Sequence, residues 1–167
     1  MNIVLCGMMG AGKSTVGREI AYLTGRVLCD TDGIITERHG KISQMFACFG
    51  EEYFRNIETE VTTELAQKED LVISTGGGLV LREINVLSLK EKGKIIYLRA
   101  GVDTLLSRLK KDGERPLLEG EIPLEEKLKG LMEKRASIYE GVADYIVDVD
   151  GKAPEQIARE IIKICEA

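Results

Sequence analysis

Short apolar runs alternate with amphipathic stretches along the chain. The apolar runs are bounded by turn residues, which is typical of buried strands, and they stand at residues 3–6, 27–29, 71–74, 94–98 and 145–149. Between the runs, apolar side chains recur every three or four residues, as expected for helices that pack on a sheet. The alternation of strands and helices predicts an α/β domain with a parallel sheet covered on both faces.

The helices can be placed from this periodicity and from Gly and Pro punctuation. The first follows residue 13 and ends at Gly25, and the others are predicted at residues 34–38, 42–49, 51–67, 81–92, 102–109, 124–139 and 154–165. Residues 110–122 interrupt the pattern, because they are charged, have few apolar anchors and include Gly113 and Pro116. We therefore expect a lid over about residues 110–123.

Composition narrows the class of protein. The 167 residues suffice for one domain, 1–167, with a sizeable core, and no linker-like segment divides them. A net charge of −5 offers no global field for nucleic acid or an anionic membrane, so neither is expected as a partner. No run resembles a signal peptide or a membrane span, which favours a cytoplasmic protein. The four cysteines lack metal-ligand spacing and are expected to be reduced thiols in the core.

The most specific chemical motif is a phosphate-binding loop. Residues 7–14 read G-x-x-x-x-G-K-S, directly after an apolar run and directly before an amphipathic stretch. Glycines in this context let successive backbone N–H groups wrap a polyphosphate at a helix N-terminus. Lys13 can reach the terminal phosphates, and the Ser14 hydroxyl can ligate Mg²⁺. The pattern predicts a nucleoside triphosphate site.

Two further groups follow predicted strands. Asp30 and Asp32 come after the second apolar run, and Gly76, Gly77 and Gly78 come after the third. Ligands of open parallel sheets bind beyond the carboxyl ends of the strands, so both groups should lie at the same edge as the phosphate loop. Each group also has a plain structural interpretation, which is helix capping for the aspartates and an ordinary turn for the glycines.

The sequence resembles the shikimate kinase family over nearly its whole length. The resemblance lies in the phosphate loop, the two aspartates, residues 54–58, the three glycines, residues 115–118 and residues 135–139. It implies a three-layer α/β/α P-loop fold with a five-stranded parallel sheet, a lid and a helical substrate-binding part at about residues 31–60. It also implies Mg²⁺-dependent transfer of the ATP γ-phosphoryl group to the 3-hydroxyl of shikimate, in the route to chorismate and the aromatic amino acids.

The resemblance also implies roles for individual residues. The implied ATP site consists of Gly10, Ala11, Gly12, Lys13, Ser14, Thr15, Arg108, Arg115, Lys152 and Pro154. The implied shikimate site consists of Asp32, Arg55, Gly76, Gly77, Gly78 and Arg135. The implied catalytic residues are Asp32, Lys13 and Arg115, and the implied magnesium ligands are Ser14 and Asp30. Lys152 stands where arginine is common in the family. We also expect the protein to be a monomer.

The residue types suit this chemistry. Shikimate is a small carboxylated polyol, so its site needs a cationic fork for the carboxylate and an acceptor for a hydroxyl. Arg55 and Arg135 fit the first need, and Asp32 fits the second. Arg55 could instead form an i,i+3 ion pair with Glu58, and the two interpretations are compatible because Glu58 could orient Arg55.

Two other functions are open at this stage. A kinase for another small molecule, such as gluconate, would share the loop and the lid, but it would not need two arginines for a ring carboxylate. A nucleotide-dependent switch would need no acceptor at all. A guanine-reading switch would be expected to carry an Asn-Lys-x-Asp motif, which this sequence lacks.

Overall fold

Five parallel strands form the sheet at the centre of the protein. The computed structural model describes residues 1–112 and 122–166. The strands are β1 (Asn2–Cys6), β2 (Val27–Asp30), β3 (Leu71–Ser74), β4 (Gly93–Arg99) and β5 (Tyr145–Asp148). Their order is β2-β3-β1-β4-β5, and all neighbouring pairs are parallel. The predicted three-layer α/β/α fold with a five-stranded parallel sheet is confirmed.

Helices cover the sheet and fill the connections between its strands. In the described part of the chain they are α1 (Lys13–Thr24), α2 (Thr31–His39), α3 (Ile42–Phe49), α4 (Glu51–Ala66), α5 (Glu83–Lys92), α6 (Val102–Asp112), α7 (Leu124–Val142) and α8 (Pro154–Glu166), with a 3₁₀ turn at Leu79–Leu81. Helices α1 and α8 pack on each other, and so do α4 and α5. Three helices, α2 to α4, lie between β2 and β3, where the substrate-binding part was predicted.

The strands in the middle of the sheet are buried on both faces. Strands β1 and β3 bury every one of their side chains, whereas the edge strand β5 leaves Tyr145 and Ile146 exposed. A strand with helices on both faces needs apolar side chains on both, which explains the continuous apolar runs in the sequence. Asp30 pairs in register with Ser74, and Ser74 with Leu5. The segments that follow β1, β2 and β3 therefore start at one edge of the sheet.

Several helix boundaries differ from the predictions for local reasons. Helix α2 begins at Thr31 because Asp30 caps it, with its Oδ1 accepting a hydrogen bond from the Gly33 amide at 3.2 Å. The helix predicted from residue 81 begins at Glu83 instead, because Arg82 is extended and its guanidinium bonds to Asn56 and Glu52 on α4. Helices α6 and α7 continue past their predicted ends. Most of the predicted lid lies outside the described residues.

The cysteines occupy different environments. Cys6 is buried in β1, and burial raises the pKa of its thiol to about 12. Cys29 and Cys165 are partly buried, but Cys48 is exposed at the end of α3. The prediction of a core thiol is therefore wrong for Cys48, since α3 turns its apolar side towards α4 and leaves Cys48 at the surface. Among residues 1–112 and 122–166, no helix has the length and apolar character needed to cross a bilayer.

Candidate active site

The phosphate loop is shaped by its glycines. Gly7 and Gly12 have φ angles of 141° and 92°, which side-chain-bearing residues rarely adopt. A Cβ on Gly7 would also lie 2.7 Å from the carbonyl oxygen of Leu98. Helix α1 begins directly after Gly12 and has no side-chain cap, so its first amide groups remain available to an anion.

Two cations are held at this loop by backbone carbonyls. The Lys13 ammonium donates to the carbonyl oxygens of Gly7 at 2.8 Å and Met8 at 2.9 Å. The Arg108 guanidinium reaches the loop from α6 and donates to the carbonyl oxygen of Gly10 at 3.2 Å. Carbonyl oxygens orient both side chains without neutralising their charge, so the loop concentrates positive charge where phosphates would bind.

A cluster of oxygen atoms lies beside the loop. The Ser14 hydroxyl donates to Asp30 Oδ2 at 2.5 Å and lies 3.1 Å from the Ser74 hydroxyl. Asp30 therefore acts both as a helix cap and as a group beside the phosphate loop, because its other oxygen caps α2. Among the described residues, no three His, Cys, Asp or Glu side chains are grouped to hold a metal unaided. A few oxygens beside a phosphate site nevertheless fit Mg²⁺, which is usually held by one or two carboxylates together with phosphates and waters.

Two carboxylates meet at Gly76. A Cβ on this glycine would lie 2.7 Å from Asp32 Oδ1 and 2.9 Å from Glu58 Oε1, so only glycine leaves room for both. Asp32 lies in the first turn of α2 and is not its cap, because Asp30 has that position. Side chains of the site itself thus make the close approach at Gly76.

Arg55 is held between carboxylates on the surface of α4 that faces the cavity. Its guanidinium donates to Glu58 Oε2 at 2.8 Å and to Glu51 Oε1 at 3.2 Å, and it would clash with a Cβ on Gly78. The i,i+3 pair with Glu58 that the sequence suggested is present, but Glu58 is only 1% exposed. Burial raises the pKa of Glu58, against the opposing effect of Arg55, and the nearby Asp32 raises it further.

The second predicted arginine approaches the same glycines from α7. Arg135 Nη1 lies 3.5 Å from the position that a Cβ on Gly77 would occupy. Since Arg55 lies against Gly78, the two guanidinium groups converge on adjacent glycines. Two converging guanidinium groups of this kind can form a fork for a carboxylate.

One cavity of about 790 Å³ unites these groups. Of the predicted site residues it is lined by Gly10, Gly12, Lys13, Ser14, Thr15, Asp30, Asp32, Arg55, Gly76, Gly77, Gly78, Arg108 and Arg135. The expectation that the phosphate loop, the acidic pair and the triple glycine lie at one edge is confirmed, and Arg55 and Arg135 line the same cleft. The functional role of each residue remains a prediction.

Four predicted residues do not line this cavity or cannot be placed. Ala11 is buried within the loop. Lys152 and Pro154 lie outside the cavity, and the Lys152 ammonium donates to Glu160 at 2.7 Å. Arg115 lies outside the described residues.

The cavity also contains residues that the sequence analysis did not select. Phe46 and Phe54 form an apolar wall, with ring centroids 5.0 Å apart, and Ser74 and Lys111 contribute polar atoms. The two aromatic residues recur at the same helical spacing as core residues, so the sequence pattern could not distinguish them from the core. Ser74 had a detectable signal, because it ends a strand next to the glycines.

Fold and site together define a P-loop kinase of the nucleoside-monophosphate kinase type, with a triphosphate cradle and a separate small-molecule acceptor site in one cavity. Residues 9–166 match the family model described as shikimate kinase. The chain belongs to the shikimate kinase family.

Individual relatives agree with this assignment. The chain is 45% identical to a shikimate kinase from Thermodesulfovibrio yellowstonii over 163 residues, which cover 97% of this chain and 93% of the relative. It is 41% identical to one from Moorella thermoacetica, with 99% and 95% covered. The solved structure of shikimate kinase from Acinetobacter baumannii in complex with shikimate superposes with a TM-score of 0.92 at 40% identity, covering 99% of this chain and 92% of that one.

Proposed function

We propose that the chain transfers the γ-phosphoryl group of ATP to the 3-hydroxyl of shikimate, giving shikimate 3-phosphate and ADP. The observation that carries this proposal is the shared cavity, which is lined by the phosphate loop, Asp32 and two converging arginines. A carboxylated polyol fits that acceptor side, because it offers one group to the arginines and hydroxyls to the aspartate.

The triphosphate is assigned to the loop and to the N-terminus of α1. The amides there bind phosphate oxygens, and Lys13 leaves the loop carbonyls to reach the terminal phosphates. Arg108 adds a second cation from α6. Arg115 is proposed as a further cation over the transferring group, on the strength of the Arg-Pro-Leu-Leu match alone.

Ser14 and Asp30 would hold Mg²⁺ at the phosphates, with Ser74 beside them. When bound there, the ion neutralises charge on the phosphate oxygens. Asp30 then has to keep one oxygen on the Gly33 amide while the other turns to the ion or to a water on it.

Acceptor positioning is assigned to Asp32, Arg55 and Arg135. The two guanidinium groups bind the carboxylate, and the apolar wall of Phe46 and Phe54 packs against the ring. Asp32 accepts a hydrogen bond from the attacking hydroxyl and either orients it or takes its proton. Phosphoryl transfer has a loose transition state, so most of the catalytic effect comes from placing the hydroxyl in line and from neutralising charge.

A coupled assay of ADP release with shikimate tests the reaction directly. Turnover should require shikimate, ATP and Mg²⁺ together, and gluconate should not replace shikimate. Isothermal titration without ATP should show binding of shikimate and none of gluconate. Equal turnover with gluconate, or ADP release that does not depend on any acceptor, would refute the proposal.

We also propose that the enzyme works as a monomer in the cytoplasm. Among the described residues, both substrate positions are lined by one chain, and ATP is available in the cytoplasm. Light scattering on the purified protein would test the first part, because a dimer would double the measured mass.

A further inference from the structure

The acceptor half of the cavity is lined by Asp32, Arg55, Arg135 and the glycine segment, Gly76 to Gly78. A buried tyrosine with no role in the proposed reaction contacts this segment. Tyr139 is fully buried, and its hydroxyl donates to the carbonyl oxygen of Gly77 at 2.6 Å. It lies four residues after Arg135 on α7, so the two side chains project from the same side of the helix. A buried tyrosine hydroxyl normally has a partner, but here that partner belongs to the acceptor site.

Arg135 shares this location. The position that a Cβ on Gly77 would occupy lies 3.5 Å from Arg135 Nη1 and 3.8 Å from the Tyr139 hydroxyl. The pKa of Tyr139 is raised to about 12 by burial, and the positive charge of the nearby Arg135 guanidinium opposes this rise. At neutral pH the hydroxyl therefore keeps its proton, which is the one it donates to Gly77.

The two arginines of the fork are held in different ways. Arg55 is paired with the carboxylates of Glu51 and Glu58. Within the described residues Arg135 has no carboxylate in ion-pair distance, and the Tyr139 hydroxyl shares its place at Gly77. A neutral hydroxyl does not cancel the charge of a guanidinium, so the full charge stays available for an anionic ligand.

The ring of Tyr139 is itself fixed by the sheet. It stacks on Tyr97 of β4, with centroids 5.1 Å apart and planes tilted by 32°. The hydroxyl therefore has a defined position between a strand and the glycine segment, and its bond to Gly77 also fixes the planar peptide that joins Gly77 to Gly78.

We propose that Tyr139 is a positioning residue that holds the Arg135 guanidinium at the glycine segment, oriented for the carboxylate of the acceptor. This inference rests on the proposed function in taking Arg135 as a carboxylate ligand. Tyr139 does not touch the reacting atoms. Its effect reaches the substrate through Arg135.

Steady-state kinetics of Tyr139→Phe test this role, with Tyr97→Phe as the matched control. The control removes a hydroxyl from the same stacked pair, and the Tyr97 hydroxyl forms no hydrogen bond with another described residue. Tyr139→Phe should raise the KM for shikimate about tenfold and leave the KM for ATP within about twofold, as expected for one lost buried hydrogen bond. A rise of both KM values together, or an equal effect of Tyr97→Phe, would overturn the proposal.

A double-mutant cycle separates action through Arg135 from a general effect on packing. If Tyr139 acts through Arg135, then Tyr139→Phe should change the shikimate KM by less than about twofold in an Arg135→Ala background. Full additivity of the two substitutions would show that Tyr139 acts elsewhere.

A measurement on the ligand-free protein gives an answer that does not depend on turnover. The Nε–H nuclear magnetic resonance signal of Arg135 can be assigned as the one missing in Arg135→Lys. It should be a single narrow signal in the wild type and in Tyr97→Phe, and it should broaden or move towards the signal of a free arginine in Tyr139→Phe. An unchanged signal in Tyr139→Phe would refute the positioning role. Failure of the wild type to phosphorylate shikimate would refute only the proposed function.

Discussion

Arg55 in the acceptor half of the cavity is held differently from the two cations of the phosphate cradle. In the phosphate cradle, Lys13 and Arg108 donate to backbone carbonyls of the loop. In the acceptor half, Arg55 donates to the carboxylates of Glu51 and Glu58. Carbonyl dipoles do not titrate, whereas a buried carboxylate does, so the charge of the groups that hold Arg55 depends on pH.

This difference follows from what each half binds. A triphosphate carries several charges and is best met by several cations and backbone amides. A small acceptor carries one charge and must be oriented accurately, which calls for side chains that are locked by partners. Substitutions in the acceptor half should therefore change the shikimate parameters and leave those of ATP unaffected.

Asp32→Asn should produce the largest effect. The amide cannot take a proton, so kcat should fall on the order of 10²-fold or more, the size expected for a positioned acid or base. The KM for ATP should stay near the wild-type value, because Asp32 lies on the acceptor side at Gly76. Steady-state kinetics with both substrates varied would check this, and unchanged turnover would remove Asp32 from its role.

Arg135→Ala should raise the KM for shikimate about 30-fold through loss of a charge-assisted hydrogen bond. The KM for ATP should change little. Lys134→Ala is the matched control, since it removes an adjacent but exposed cation and should have almost no effect. Equal changes in the two KM values would mean that Arg135 serves the nucleotide, and the division of the cavity into two halves would fail.

Gly78→Ala tests whether the glycines make room for side chains. The backbone of Gly78 suits alanine, with φ −98° and ψ −3°, but the added Cβ would lie 2.5 to 2.7 Å from the Arg55 guanidinium. We expect Arg55 to be displaced and the shikimate KM to rise about tenfold, with the melting temperature shifted by only a few degrees.

Gly130→Ala is the matched control for this substitution. No atom lies within 4 Å of its Cβ position on α7, so kinetics should not change, and stability should rise by up to about 1 kcal/mol. Wild-type shikimate binding in Gly78→Ala would show that the third glycine is not needed for the position of Arg55.

Glu58→Gln should show that the carboxylate holding Arg55 titrates. Its effect should be the smallest of the four. Burial raises the folded-state pKa of Glu58 above the ordinary value of 4.5, so the folded protein binds this proton more tightly than the unfolded chain does. The free energy of unfolding of the wild type should therefore fall, relative to Glu58→Gln, as the pH rises from 4.5 through the folded-state pKa. Denaturant titrations of both proteins between about pH 4 and 7 would measure the difference. A difference that stayed constant or grew with pH would contradict the assignment.

The same contrast explains what could be predicted from the sequence. The phosphate cradle is a contiguous motif in which the backbone would bind the phosphates. Its residue types and its position between a strand and a helix were therefore enough to predict it. The order of strands and helices likewise followed from periodicity, because strands buried on both faces need continuous apolar runs. Helix ends were less predictable, since the start of α2 depends on a side chain of β2 and the start of α5 depends on Arg82 reaching α4.

The acceptor half could be predicted only in part, because its residues come from distant segments. Arg55 and Arg135 were found through family resemblance, whereas Phe46 carried no local sign of a site and Tyr139 was marked only as the last residue of the matched segment 135–139. Their spacing is that of ordinary core residues, and only the folded chain shows that one faces a cavity and the other reaches Gly77. The burial of Glu58 was hidden for the same reason, since an i,i+3 pair looks identical on an exposed helix.

Asp30 bears on any attempt to redirect this enzyme to a new acceptor. One oxygen of this carboxylate anchors the helix that carries Asp32, and the other reaches the serine of the nucleotide loop. A transplant of the segment between the second and third strands would have to bring its own cap while leaving that serine contact intact. Because Asp30 contacts both parts, the acceptor segment cannot be exchanged independently of the nucleotide loop.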